Sequence, residues 1–226
     1  MATKMERMTA SEQIFRTLRG KILSTVLQPG QMLNVQTLAD ELGVSRSPVR
    51  DALLKLREER LVEILPQSGT RVAPIDMEQV QVERFLRTSL ETNAAVPFCR
   101  KRTERDLSDM ALAIDGQRNA WQREDMQMFL SYDDAFHAVV FQSQGLGRLW
   151  DLIQDQSGNY HRIRLLSFSV PDVCPSIMEK HQVMIQAFRD RDEAAVTELE
   201  KTHLGRLDAE AGEIERQHPG YFRNHT

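Results

Sequence analysis

The stretch VQTLADELGVSRSPVRDALLKLREERL, beginning at Val35, constrains the fold more than any other part of this 226-residue chain. Its first half sets Leu38, Ala39 and Leu42 on one face of a short helix and follows them with Gly43, a residue suited to closing a helix end. A second helix starts almost at once. Ser45 or Ser47 can cap it, and Pro48 is tolerated in a first turn. Two helices joined through GVS describe a helix-turn-helix, whose second helix offers its N-terminal side chains to the major groove of DNA. Arg46 and Arg50 stand at that end one turn apart, able to read guanine or to clamp phosphates, with Ser45 and Ser47 adding hydroxyl contacts. The competing reading is a plain helical hairpin with surface arginines. Turn, cap, arginine pair and the segment that follows all agree on the first reading, and agreement across levels is the stronger criterion.

The flanks extend the pattern. Upstream, Ile14, Phe15, Leu18, Ile22, Leu23 and Val26 recur at helical spacing, which predicts a helix from about Ser11 to Leu27, stopped by Pro29 and Gly30. Downstream, LVEILPQSGTRVAPI alternates apolar runs about a turn and predicts a small two-stranded wing whose Gly69 and Thr70 approach the DNA backbone. Beyond Pro74 the pattern becomes helical throughout, with segments near 76–101, 104–119, 123–144, 146–168, 176–190 and 193–217. Pro97 should kink the first of them. The expected fold is mostly α: a winged helix-turn-helix over 1–75 and an antiparallel all-helical bundle over 76–226.

Charge divides the chain in the same place. Residues 1–75 carry 11 Lys+Arg against 8 Asp+Glu, leaving 18 against 25 for the rest, so a net charge of -4 hides a basic first part. No apolar run approaches the roughly 18 residues of a bilayer span, and MATKMERMTASEQ lacks the apolar core of a signal peptide, which predicts a cytoplasmic protein with no membrane role. Cys99 and Cys174 are too few and too far apart for a disulfide framework or a metal motif, and both are expected as free thiols.

One short motif bears on chemistry. In YDDAFH, Asp133 and His137 stand four residues apart on one helical face, where they are either the polar edge of an amphipathic helix or half of a metal site. Spacing alone leaves both open.

Nearly the whole chain resembles a known family. LQPGQMLNVQTLADELGVSRSPVRDALLKLREERLV is similar to the N-terminal winged helix of GntR-type bacterial transcription regulators. RTSLETNAA, with Arg87, Glu91, Ala94 and Ala95, then DDAFH, EKHQVMIQAFRDRD and LEKTHL resemble the all-helical effector domain of the FadR subfamily, the FCD domain. The resemblance implies that Asp133 and His137 are joined by His181 and His203, one from each of two later helices, as ligands of a divalent metal. Three imidazoles and a carboxylate suit Zn above all, with Ni or Mn also compatible, and leave coordination positions for an anion. It further implies a homodimeric repressor on a palindromic operator, modulated by a small carboxylic acid whose other end meets an arginine, Arg87 or Arg162. Asp134 and His161 are treated as bystanders on this reading, with a supporting role behind the ligands left open for either. Three departures from the family pattern stand out: Lys180 directly before His181, QGLGRL ahead of the fourth bundle helix, and Gln36 where relatives carry a DNA-contacting arginine. Two rival functions remain at this stage. One is a regulator that senses the metal itself or holds it structurally; the other, a mononuclear metallohydrolase, lacks an HExxH motif and an obvious general base, so no enzyme is expected.

Overall fold

A computed structural model of the protein describes residues 8–223, and residues 1–7, which hold part of the leader reading, lie outside it. The chain divides into two compact units, one running to Asp76 and taking in Gly220 onward, the other Met77–Pro219.

In the first unit α1 (Ala10–Leu23) opens with Thr9, whose hydroxyl accepts the Glu12 N–H at 3.2 Å, and buries Ile14, Leu18 and Ile22. It stops four residues short of the expected end. Thr25 adopts φ 57°, the Leu27 N–H turns back to the Lys21 carbonyl, and Val26 is left 62% exposed rather than on the buried stripe. Strand β1 (Met32–Leu33) leads into α2 (Val35–Leu42), capped by Asn34, whose side chain accepts from the Gln36 and Thr37 N–H groups. Gly43 closes α2 in the left-handed region at φ 66°, a conformation that disfavours any side chain. Then α3 (Arg46–Glu58) buries Val49, Ala52, Leu53 and Leu56 against this small core. The wing is β2 (Val62–Leu65) and β3 (Gly69–Val72), antiparallel with Val62 opposite Val72 and Leu65 opposite Gly69. It holds a third strand that the sequence did not predict: β1 pairs with β3 in the order β1-β3-β2. The Val72 N–H donates to the Gln31 carbonyl and the Gly30 N–H to the Val72 carbonyl, so a two-residue stretch too short to show alternation is zipped on as an edge. Residues 220–223 close this unit, with the Ile75 N–H bonded to the Tyr221 carbonyl and the Arg223 N–H to the Ile75 carbonyl, each at 2.8 Å.

The second unit is helical: α4 (Met77–Lys101), α5 (Glu104–Gln122), α6 (Met126–Gln142), α7 (Gly147–Asp155), α8 (Gly158–Ser167), α9 (Val173–Asp190), α10 (Glu193–Leu204) and α11 (Leu207–Gln217). Two of the six expected segments are each two helices. The 146–168 segment breaks because buried Glu83 of α4 caps a fresh start, its carboxylate accepting the Tyr160 N–H at 2.7 Å and the Asn159 amide at 3.0 Å. The 193–217 segment breaks at Gly205, a poor helix interior residue. Around QGLGRL, Gly145 takes φ 72° and α7 starts at Gly147. Phe98 and Phe188 meet edge to face at 4.8 Å in the core, as do Phe129 and Phe168 at 4.9 Å. Helices α5 and α6 come close because Gly116 has no side chain: a Cβ there would stand 2.4 Å from the Tyr132 ring. Both cysteines are buried and unbridged, and no described helix is long and apolar enough to cross a membrane.

Candidate functional site

In the first unit, Ser45, Arg46, Ser47 and Arg50 are all exposed on the first turns of α3. Ser45 holds the N-cap position with no hydrogen bond from its hydroxyl to the helix, while Gly69 is exposed at φ 101° and Thr70 is half-buried on the wing. Arg46, Arg50, Gly69, Thr70, Asn34 and Gln36 share one surface cleft between α3 and the wing. Gln36 braces the start of α3: its carbonyl accepts from Arg46 Nε, and its amide donates to Asp40 at 2.6 Å. Among the described residues Arg50 has no ion pair, so its guanidinium faces the cleft uncommitted.

In the second unit, one turn of α6 carries Asp133 and His137, while α9 brings His181 and α10 brings His203. Their nearest donor atoms all lie within 4.8 Å of one another. His181 Nε2 stands 3.3 Å from His203 Nε2 and 3.7 Å from Asp133 Oδ1, and His137 Nε2 stands 4.0 Å from Asp133 Oδ2. The four residues are between 0% and 7% exposed. Each of two rings is turned by an outer partner: His181 Nδ1 lies 2.9 Å from Gln117 Oε1, and His137 Nδ1 lies 2.9 Å from Glu91 Oε2. Gln117 also donates to Asp133 Oδ1 at 3.1 Å, and Phe136 stacks on His181 at 4.0 Å. The inward His137 Nε2 is buried with no hydrogen-bond partner, which costs about 1–3 kcal/mol unless something accepts its lone pair or proton.

The electrostatics favour ligation. Burial pushes His181 down to about 3 and His203 well below its ordinary value, so both imidazoles are neutral. Burial presses His137 the same way, but the Glu91 carboxylate outweighs it and the net shift is upward. Burial would raise Asp133, yet the Arg164 guanidinium beside it holds the carboxyl well below the carboxylate range. Neutral His181 and His203 with an ionised Asp133 are in the protonation states that a cation requires, while His137, held towards its protonated form by Glu91, would have to release a proton to join them. The donor set therefore fits a divalent ion.

Two arginines were expected near the effector. Arg87 is buried there, its Nε on Glu91 and its Nη1 3.6 Å from Asp134 Oδ1, and it lines a cavity of about 10 Å³ with Asp133, Tyr160, Arg164, His203 and Arg206. Arg162 is elsewhere: Nη2 donates to Asn159 Oδ1 at 2.8 Å and Nε to the Gly158 carbonyl at 3.2 Å, and it does not line the cavity. Arg164 does, and sequence reasoning passed it over. Two residues apart on a helix means nearly opposite faces, so only one of the pair can reach the cluster. Asp134 stands behind the cluster, where Arg164 Nη1 donates to it at 2.8 Å. His161 lies outside both acid–histidine groups. The second of these groups, Glu91, His137 and Glu200, adjoins the first; burial, then Glu91, pushes the Glu200 carboxyl up to about 7.

Known proteins carry the same organisation. The sequence profile described as bacterial regulatory proteins, gntR family, matches residues 10–72, and that of the FCD domain matches residues 84–206. The HTH-type transcriptional repressor RspR of Escherichia coli K12 is 29% identical over 212 residues, covering 94% of this chain and 93% of that protein. The gluconate operon transcriptional repressor of Bacillus subtilis is 26% identical over 184 residues, covering 78% and 74%. Among solved structures, E. coli McbR/YncC superposes with a TM-score of 0.75 at 19% identity, covering 93% of this chain and 99% of that one. A putative transcriptional regulator GntR from Rhodococcus sp. RHA1 gives 0.75 at 23% identity, covering 90% and 96%. At those identities the structures speak for the fold. These relatives are transcription regulators, not enzymes.

Proposed function

We propose, starting from the fact that this chain belongs to the gntR family of bacterial regulatory proteins and carries an FCD domain, that its grip on operator DNA is set by a divalent cation and a small carboxylic acid. The observation that carries this reading is the convergence of Asp133, His137, His181 and His203 donors within 4.8 Å in a buried site. Zn(II) suits three nitrogens and one oxygen best, with Ni(II) and Mn(II) also compatible. A bound cation supplies open coordination positions for a carboxylate oxygen. The chain's own residues do the rest: Gln117 and Glu91 turn two of the rings inward, and Arg87 offers a buried guanidinium to the acid's other end.

On DNA, Arg46 and Arg50 read bases or clamp phosphates, Ser45 and Ser47 add hydroxyl contacts, and Gly69 and Thr70 bring the wing to the backbone. Repression is supported by the relatives that are named repressors. A homodimer on a palindrome is supported by apolar side chains left outside, Val82 at 60% and Phe85 at 74% on α4 with Leu149 and Leu152 on α7, which a two-fold partner would cover. Such a protein works in the cytoplasm, where its operator is.

Two measurements test this. Arg50→Ala is expected to abolish specific operator binding in a mobility-shift titration, and unchanged affinity would refute α3 as the reading helix. Thermal unfolding against a panel of small carboxylic acids, with and without prior chelation, is expected to show an acid that raises the melting temperature of the metal-loaded protein only. The tight cavity supports a second reading, since about 10 Å³ is room for a single water. In that reading the cation alone is the signal, and operator affinity responds to metal with no acid present.

A further inference from the structure

Arg164 stands between the two halves of the site just proposed. On α8 and 5% exposed, it donates through Nη2 to Asp133 Oδ2, the oxygen 4.0 Å from His137 Nε2, and through Nη1 to Asp134 Oδ1 at 2.8 Å. The same guanidinium lies over the Tyr160 ring at 5.6 Å and lines the cavity beside Arg87, whose Nη2 is buried without a hydrogen-bond partner. A carboxylate shared with a guanidinium has less charge and fewer lone pairs to give a metal ion. Conversely, a guanidinium shared with a carboxylate has less to give an anion.

We infer that Arg164 couples the two ligands: it competes with the cation for Asp133, and a small carboxylate entering the cavity draws it away. The inference rests on the reading of Asp133, His137, His181 and His203 as cation ligands. Asp134 makes the exchange feasible, because Arg164 keeps that partner while it leaves Asp133 and is never a buried charge alone. Cation and acid then bind cooperatively, and by linkage the factor is the same in both directions.

The test measures Mn(II) binding to the full chain, with free ion read by electron paramagnetic resonance, on wild type, Arg164→Ala, Arg164→Lys, Arg206→Ala and His203→Ala. Competition has a sign that support does not. Arg164→Ala is expected to bind Mn(II) about tenfold more tightly, the size of one charge-assisted hydrogen bond. Arg164→Lys, which keeps the charge and loses the fork, falls between, and serves alone if the alanine variant does not fold. Arg206→Ala removes a cavity arginine that pairs with Glu210 and stays near wild type. Acetate tightens Mn(II) binding more in wild type than in Arg164→Ala, where only its direct ligation of the ion remains. Weaker Mn(II) binding by Arg164→Ala overturns the inference, because Arg164 would then be holding Asp133 in place for the ion. Equal tightening by Arg206→Ala overturns it by making the effect one of general charge, and acetate acting equally on both proteins, or on neither, overturns the coupling. Wild type that binds no better than His203→Ala takes down the cation site itself, whereas the preceding failures leave that site standing.

Discussion

Gln117 does two jobs with one amide. Its oxygen faces His181 Nδ1 and its nitrogen donates to Asp133 Oδ1, so a single side chain from α5 fixes the tautomer of one imidazole and the rotamer of the carboxylate beside it. Gln117→Ala is expected to lower metal affinity by about 10- to 100-fold, the usual cost of losing an outer partner, measured by calorimetric titration on the folded variant. The sequence singles out Asp133 with His137 through their own spacing, and His181 and His203 only through resemblance. It is silent on Gln117, and the reason is physical. Helical spacing reports which residues share a face of one helix, whereas Gln117 reaches Asp133 and His181 across two interhelical contacts. Arg164 escaped for a related reason: Arg162 and Arg164 look alike in a row of letters, and only the rotation of α8 about its axis chooses between them.

Elements are placed by what their neighbours lack as much as by what they carry. The α5–α6 contact closes over Gly116, with the Tyr132 ring where a Cβ would be. Gly116→Ala is expected to cost about 1–3 kcal/mol by forcing ring or helix to move, seen as a lower melting temperature. Because Gln117 is the next residue, the same variant is expected to weaken metal binding. Helix existence was legible from apolar periodicity, and so was the wing. The break before α8 was not, because Glu83 caps α8 from a different helix and Ser157 spends its hydroxyl on the Ile153 carbonyl, so the segment shows no start signal of its own. The third wing strand was hidden by its length.

At the scale of the whole chain, the first unit is completed by residues far along the sequence. Arg223 pairs with Glu63 of β2 and, at 3.1 Å, with Asp76, while Arg71 reaches Glu63 from β3 at 2.8 Å. Burial alone would raise the Glu63 carboxyl, but hydrogen bonds from Arg71 and Arg223 outweigh it and hold it below its ordinary 4.5. A carboxyl depressed in the folded state adds stability above its unfolded value and loses it as pH falls through the folded one. Glu63→Gln is therefore expected to be less stable than wild type by up to about 1 kcal/mol at neutral pH, a small figure because both arginine partners are partly open to solvent. Unfolding midpoints of the two proteins are expected to converge as the solution is acidified below 4.5; a gap that persists there would show that the pair does not carry the effect. None of this was legible in the sequence, where no spacing links Glu63 to Arg223.

The depth of the four-residue cluster sets a clock. With donors no more than 7% exposed and a cavity of about 10 Å³ beside them, the proposed cation would be well screened from solvent. Its entry and exit would wait on local opening of the helices that carry His181 and His203, so exchange would run at the rate of that opening rather than of diffusion. If the proposed cation site is real, a regulator built this way would average over its surroundings, ignoring brief swings in free metal and answering to levels that persist.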